Sequence, residues 1–175
     1  MLNFFKAELV DAEPVAKLIN SAYRGETSRK GWTTEADILD GLRTTTAEVG
    51  KMINRDDAFI LIGVVNDEIV ATISCERQVI AFKHTVHFGM IAVKPSLQNK
   101  GHGKDMINAA ETMTKREWRV AGFHMTVISL RQEVIEFYER LGYARTGEFE
   151  EFPENPTLWQ PKVDGLNLQV LAKIA

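Results

Sequence analysis

The sequence is short of several things, and each shortage excludes a class of protein. It holds one cysteine, Cys75, so no internal disulfide can form, which suits a reducing compartment. Its longest apolar run lies within AFILIGVV, Ala58 to Val65, far below the roughly 20 residues that cross a bilayer. No charge predominates: 21 Lys and Arg stand against 24 Asp and Glu, a formal net charge of -3. General attraction to nucleic acid or anionic lipid is therefore not expected, and any basic site must be local. The start, MLNFFKAELV, has no basic segment leading into a long apolar one, which predicts no secretory signal and, with the lone thiol, a cytoplasmic protein. Inside IVATISCE, Cys75 reads as packing rather than as a nucleophile. There is no cysteine pair, and His84 and His87 point to opposite faces of a strand-like segment, so no metal site is expected.

What is present describes one domain spanning residues 1–175. A hydrophobic fraction of 45% beside 26% charged residues is that of a soluble globular chain with a core of ordinary size. Phe4 to Glu8 predicts a short strand, and Asp11 caps a helix whose apolar positions Val15, Leu18, Ile19 and Ala22 keep helical spacing up to about Gly25. In SRKGWTTEADIL, Thr33 or Thr34 followed by acidic residues predicts a second helix running to about Leu42, with a further helical turn or two from Ala47 to Ile53. The period then changes. AFILIGVV, IVATISCERQVI and the segment through Thr85, Val86, His87 and Phe88 read as three consecutive antiparallel strands. A long helix follows from Gly103 to Val120, then a buried strand FHMTVISL, a helix EVIEFYERLG closed by Gly142, and a strand YARTGEFE. EFPENPTLWQP holds three of the five prolines and reads as a loop, before a last strand in LNLQVLAKI whose exposed edge offers a route to a homodimer.

Between an apolar strand and the long helix stands LQNKGHGKDM. Two glycines, Gly101 and Gly103, with Lys100 and Lys104 beside them, suggest a phosphate cradle of free backbone N–H groups on a helix dipole. A nucleoside triphosphate loop would need glycine where Gln98 stands and a hydroxyl where Asp105 stands. A dinucleotide fingerprint would need a third glycine where Met106 stands, with a distant acidic partner. What remains, Gln98-x-x-Gly101-x-Gly103, suits a pyrophosphate.

Further on, LRQEVIEFYERLGYARTGE places Tyr138 on a short helix that Gly142 and Tyr143 close. With these two motifs the chain resembles the GNAT superfamily of acyl-CoA-dependent N-acyltransferases, whose cofactor loop is Q/R-x-x-G-x-G/A and whose later motif ends in Tyr-x-x-x-Gly-Phe/Tyr. The resemblance implies an α/β (α+β) fold with a mixed, mostly antiparallel central sheet of about seven strands flanked by helices. It implies acetyl-CoA as acyl donor, held at its pyrophosphate by the amides of Gln98, Asn99, Lys100, Gly101, His102, Gly103 and Lys104, and at its pantetheine arm by the strand Met90, Ile91, Ala92, Val93. In the family that strand splays from the next one. Where the family often has asparagine, upstream of Tyr138, this chain has Arg131, which can reach a CoA phosphate or cap the helix region.

Thioester aminolysis needs a neutral amine, a stabilised oxyanion and a proton for the departing thiolate. With an ordinary pKa of about 10, Tyr138 can give that proton, although a tyrosine packing its ring on the sheet would look the same in sequence. The oxyanion donor implied by the resemblance is a backbone N–H near Ile91. His87 falls where some family members place a catalytic glutamate, and with an ordinary pKa of about 6.5 it suits a base acting through water. Its ordinary reading is a wall residue, and Glu76 is the alternative. For the acceptor, Trp32 can wall a pocket, Glu35 can hold a cationic amine, and Phe152 with Trp159 can close the other side. The expected activity is acetylation of a small molecule's primary amine, the rivals being a peptide or protein amine, or a regulatory module that binds CoA without catalysis.

Overall fold

The computed structural model describes residues 1–175. In chain order the elements are β1 (Asn3–Lys6), α1 (Ala12–Tyr23), α2 (Gly25–Ser28), β2 (Leu39–Gly41), α3 (Thr46–Ile53), β3 (Ala58–Val65), β4 (Glu68–Ile80) and β5 (Lys83–Val93). They continue with α4 (His102–Trp118), β6 (Gly122–Ile128), α5 (Gln132–Arg140), β7 (Ala144–Glu151), β8 (Trp159–Pro161) and β9 (Asn167–Ile174). Seven strands form one sheet in the order β1-β3-β4-β5-β6-β9-β7, and β2 pairs with β8 in a separate ribbon. Within the sheet only β5 and β6 run parallel. This is the expected mixed, mostly antiparallel sheet flanked by helices.

Helices cover both faces, so a central strand must be apolar on both. In β4 the residues from Val70 to Cys75 are buried without a break. On one face Met106, Ile107 and Ala110 of α4 pack with Ile135 and Tyr138 of α5, and on the other Val15, Ala16 and Ile19 of α1 pack with Val49 of α3. Burial pushes the Cys75 thiol well above its usual pKa, so it stays an unreactive thiol within the core.

Three expectations are corrected. The helix expected from Thr33 or Thr34 to Leu42 is absent: α2 lies upstream of it and β2 takes its end. Thr33 donates to the Ala22 carbonyl at 3.0 Å, and although Thr34 Oγ1 accepts from the Ala36 N–H at 3.2 Å, the turn that follows ends at Leu39, where the chain pairs with Trp159–Pro161 instead of continuing as a helix. The proline segment is more than a loop, because Trp159–Pro161 adds a strand to β2, and Pro161 at its end lies on a two-stranded ribbon where its missing N–H is tolerated. The last strand is not an open edge: β9 lies between β6 and β7 and pairs with both, leaving β1 and β7 as the edges.

At the middle of the long helix a buried polar knot ties α4 to β9 and to the turn after α5. Glu111 accepts from the Tyr143 hydroxyl at 2.8 Å and from Lys173 at 2.9 Å on each carboxylate oxygen. Glu111 is itself buried, so removing its carboxylate strands two donors at once. Glu111→Ala is expected to destabilise the fold by about 3 kcal/mol, read as a lower denaturation midpoint at unchanged slope, with Glu111→Gln intermediate.

Candidate active site

The site begins where two strands part. Parallel pairing of β5 with β6 holds for Thr85, Val86 and His87 and then stops, although β6 goes on pairing with β9 on its far side as far as Ile128. From Phe88 to Val93 the β6-facing edge of β5 therefore has no strand beside it. A bulge accompanies the opening: Ser74 pairs with Gly89 and Thr72 with Ala92, so Ile73 faces both Met90 and Ile91, and Met90 takes a φ of 47°. The Tyr23 hydroxyl, at the end of α1, donates to the Ile91 carbonyl and fixes the bulge from below.

A cavity of about 460 Å³ occupies the gap. Met90, Ile91 and Val93 line it, while Ala92 turns its side chain into the core against α1. At the end of β5 a short turn, Pro95–Leu97, leads into the glycine loop. Asn99 and Gly101 both adopt left-handed backbone, with φ of 62° and 86°, and α4 then starts at His102 with no side chain capping its first N–H groups. Successive N–H groups beside left-handed residues at a helix N-terminus form an anion cradle. His102, although in the loop, does not line the cavity, and its Nδ1 is buried without a partner. Asn99, Gly101, Gly103 and Lys104 line the cavity, whereas the Lys100 side chain lies exposed outside it. These features fit a pyrophosphate group.

Tyr138, on the inner face of α5, lines the same cavity and is 6% exposed. Its ring is held edge-on by Phe137 at 5.2 Å and Tyr143 at 6.2 Å. Burial, with the Tyr23 phenol a smaller contribution, raises its pKa well above the usual value, so the phenol carries its proton throughout the neutral range.

The acceptor side is assembled from distant segments. Trp32, Glu35, Phe152 and Trp159 all line the cavity, with Trp32 edge-on to Phe137 at 5.6 Å and Phe152 facing Trp159 at 6.4 Å. Two side chains pin the Trp32 segment. Gln98 accepts from the Trp32 N–H at 2.8 Å and donates to Thr33 Oγ1 and to the Val93 carbonyl, joining the phosphate loop to the acceptor wall. Arg131 donates to the Trp32 and Thr33 carbonyls, each at 3.2 Å, and to Glu133 at 2.7 Å. Its guanidinium thus ties the start of α5 to that wall. Glu35 is buried against Arg24 at 3.2 Å with Arg131 at 4.0 Å, so its charge is already compensated and is not free for a cationic amine. Glu76 does not join the cavity. Its carboxylate is taken by Arg55 at 2.6 Å and Gln78 at 3.0 Å; burial works to raise its pKa, but these two bonds outweigh it and hold the carboxyl below the usual range.

His87 does line the cavity. Burial is the main cause that lowers its pKa below 6.5, with Glu76 opposing and Arg43 adding to the fall, so the imidazole is neutral at pH 7 and able to accept a proton. Its neighbour across the last parallel pair is His124, with ring centroids 5.2 Å apart. Burial and then the His87 charge push His124 down to about 4. Here the folded state refuses a proton that the unfolded chain accepts at its ordinary value of about 6.5. Stability is therefore expected to fall as pH drops from about 6.5 towards 4, and His124→Gln is expected to flatten that part of the stability–pH curve, measured by denaturation at successive pH values.

Local reading of the sequence did not find Tyr23, Arg24 or Arg43 as cavity residues. Each reaches the site through the packing of α1 and the chain that follows it on the sheet, and no motif spacing announces that.

The profile described as the acetyltransferase (GNAT) family matches residues 15–143. No curated protein matches the chain. Among solved structures, a probable acetyltransferase from Staphylococcus epidermidis superposes with a TM-score of 0.74 at 13% identity, over 100% of this chain and 99% of that one. A ribosomal-protein-alanine N-acetyltransferase from Escherichia coli gives 0.67 at 15% identity, over 99% and 94%. A chimeric spermidine N-acetyltransferase from Vibrio cholerae gives 0.69 at 13% identity, over 99% and 95%. At these identities the likeness is one of fold.

Proposed function

Since this chain belongs to the GNAT acetyltransferase family, we propose that it transfers an acetyl group from acetyl-CoA to the primary amine of a small molecule. The observation that carries this reading is the parting of β5 from β6 directly above the uncapped N-terminus of α4. An extended pantetheine arm can add to the free edge of β5 as a strand would, with its pyrophosphate in the glycine loop. Bound acetyl-CoA supplies a thioester, already activated towards an amine.

The chain's own residues then divide the work. Neutral His87 accepts the proton of the incoming ammonium through a water, which makes the amine nucleophilic. The backbone N–H groups around Ile91, held by the bulge, stabilise charge on the carbonyl oxygen. Tyr138 Oη gives its proton to the departing sulfur, and its raised pKa makes the protonated form the resting one. Trp32, Phe152 and Trp159 wall off water and leave room for an acceptor of modest size.

The test is release of free thiol from acetyl-CoA with a panel of polyamines, amino acids and alanine-terminated peptides. Turnover with small amines supports the reading. Turnover with the peptides alone would move the acceptor to a polypeptide, and CoA binding with no turnover on any amine would indicate a regulatory module.

A further inference from the structure

The charges of the acceptor end do not balance, and the residue left over has a fixed place. Arg24 pairs with Glu35, and Arg131 pairs with Glu133 and reaches Glu35 at 4.0 Å. Lys104 belongs to the phosphate loop. Arg43 also lines the cavity and is half-buried, yet its guanidinium forms no ion pair and no hydrogen bond within the protein. Nor is it a loose surface arginine. Asn20 Oδ1 accepts from the N–H groups of Arg43 at 2.7 Å and Thr44 at 3.2 Å, Asn20 Nδ2 donates to the Thr44 carbonyl at 3.0 Å, and Arg24 donates to the Leu42 carbonyl at 3.0 Å. The backbone on both sides of Arg43 is thereby stapled to α1 and its neighbour. The preceding residue, Leu42, donates its N–H to the Leu158 carbonyl at 2.8 Å, next to Trp159, so Arg43 stands at the acceptor end of the cavity that His87 also lines.

A guanidinium in a partly desolvated cavity wants an anionic partner, and its planar fork fits a carboxylate with two parallel hydrogen bonds. Of the carboxylates that line the cavity, Glu35 is committed to Arg24 and Arg131 and Glu133 to Arg131, while Glu136 stands on α5 one turn before Arg140; none of the three pairs with Arg43. We propose that Arg43 binds a carboxylate on the acceptor itself, so that the substrate is an amino acid or a similarly small amine carrying a carboxylate. This inference rests on the acetyltransferase reading above. The same charge arrangement repels a polyamine, which would bring further cations to a wall already in positive excess.

The test compares kcat/KM for amino acids and for the amines left when their carboxylate is removed, using wild type, Arg43→Gln and Arg43→Lys. Wild type is expected to favour the carboxylate-bearing member by about 10-fold to 100-fold. Arg43→Gln is expected to bring that ratio close to one, mainly through KM, and Arg43→Lys to keep part of it. Calorimetric titration of the amino acids into each protein, with and without CoA, gives a readout that needs no turnover. A ratio near one or reversed in wild type, or a preference undiminished in Arg43→Gln, overturns the assignment. Loss of the acetyltransferase reading shows separately, as absence of CoA binding and thiol release, and amino-acid binding that vanishes in Arg43→Gln would then still uphold the anion site.

Discussion

Tyr138→Phe is expected to lower kcat for acetyl transfer by about 100-fold to 10,000-fold while leaving acetyl-CoA affinity and the fold nearly unchanged. The ring does the structural work of Tyr138, packed between Phe137 and Tyr143, and phenylalanine retains it. Only the hydroxyl is lost, on a residue that lines the cavity. A proton donor acts in the transition state rather than in binding, so the loss belongs in kcat and not in the dissociation constant. The basic limb of the pH profile gives a second readout: with the phenol pKa raised well above 10, wild type has no loss of acid function in the neutral range. A Tyr138→Phe enzyme with wild-type kcat would show that the residue only packs.

Arg24→Ala is expected to cost about 3 kcal/mol of stability. Arg24 and Glu35 have side chains 4% and 10% exposed, and removing the guanidinium leaves the carboxylate buried with Arg131 alone, at 4.0 Å. That residual partner keeps the cost towards the lower end for a broken buried pair. For a chain of this size the melting temperature is expected to fall by about 6–12 °C. Replacing both partners, Arg24→Leu with Glu35→Leu, is expected to recover most of it, because the penalty is that of an unpaired charge rather than of a missing attraction. A double variant less stable than Arg24→Ala would mean that the pair contributes favourably in itself.

The parts of this site that depend on local backbone were open to reading from the chain. Gln98, Gly101 and Gly103 define a turn whose N–H groups stand at a helix start, because glycine tolerates the left-handed conformation that Gly101 adopts. The short helix that carries Tyr138 and ends at Gly142 was legible too, whereas a role for Tyr138 came only with the family motif. What escaped depends on contacts between distant segments. Tyr23 is 68 residues from the Ile91 carbonyl it holds, and Gln98 is 66 residues from the Trp32 N–H it accepts. The stretch after Trp32 has the acidic first turn of a helix, but burial of Glu35 against Arg24 and the pairing of β2 with β8 decide its path. Likewise β9 looked like a free last strand, since nothing in its alternation says that β6 and β7 will lie on either side of it. Arg43 carries no signal until the ion pairs around it can be seen.

The central claim is that the gap between β5 and β6 takes acetyl-CoA, and its most direct measurement is thermal stabilisation with acetyl-CoA, CoA, ATP plus magnesium, and NAD side by side. A ligand that binds only the folded state raises apparent stability by mass action, by about 2.7 kcal/mol at a hundred times its dissociation constant. The account predicts a rise with acetyl-CoA and CoA and none with the other two. No rise with either CoA species, or a rise with ATP or NAD in their place, would contradict it.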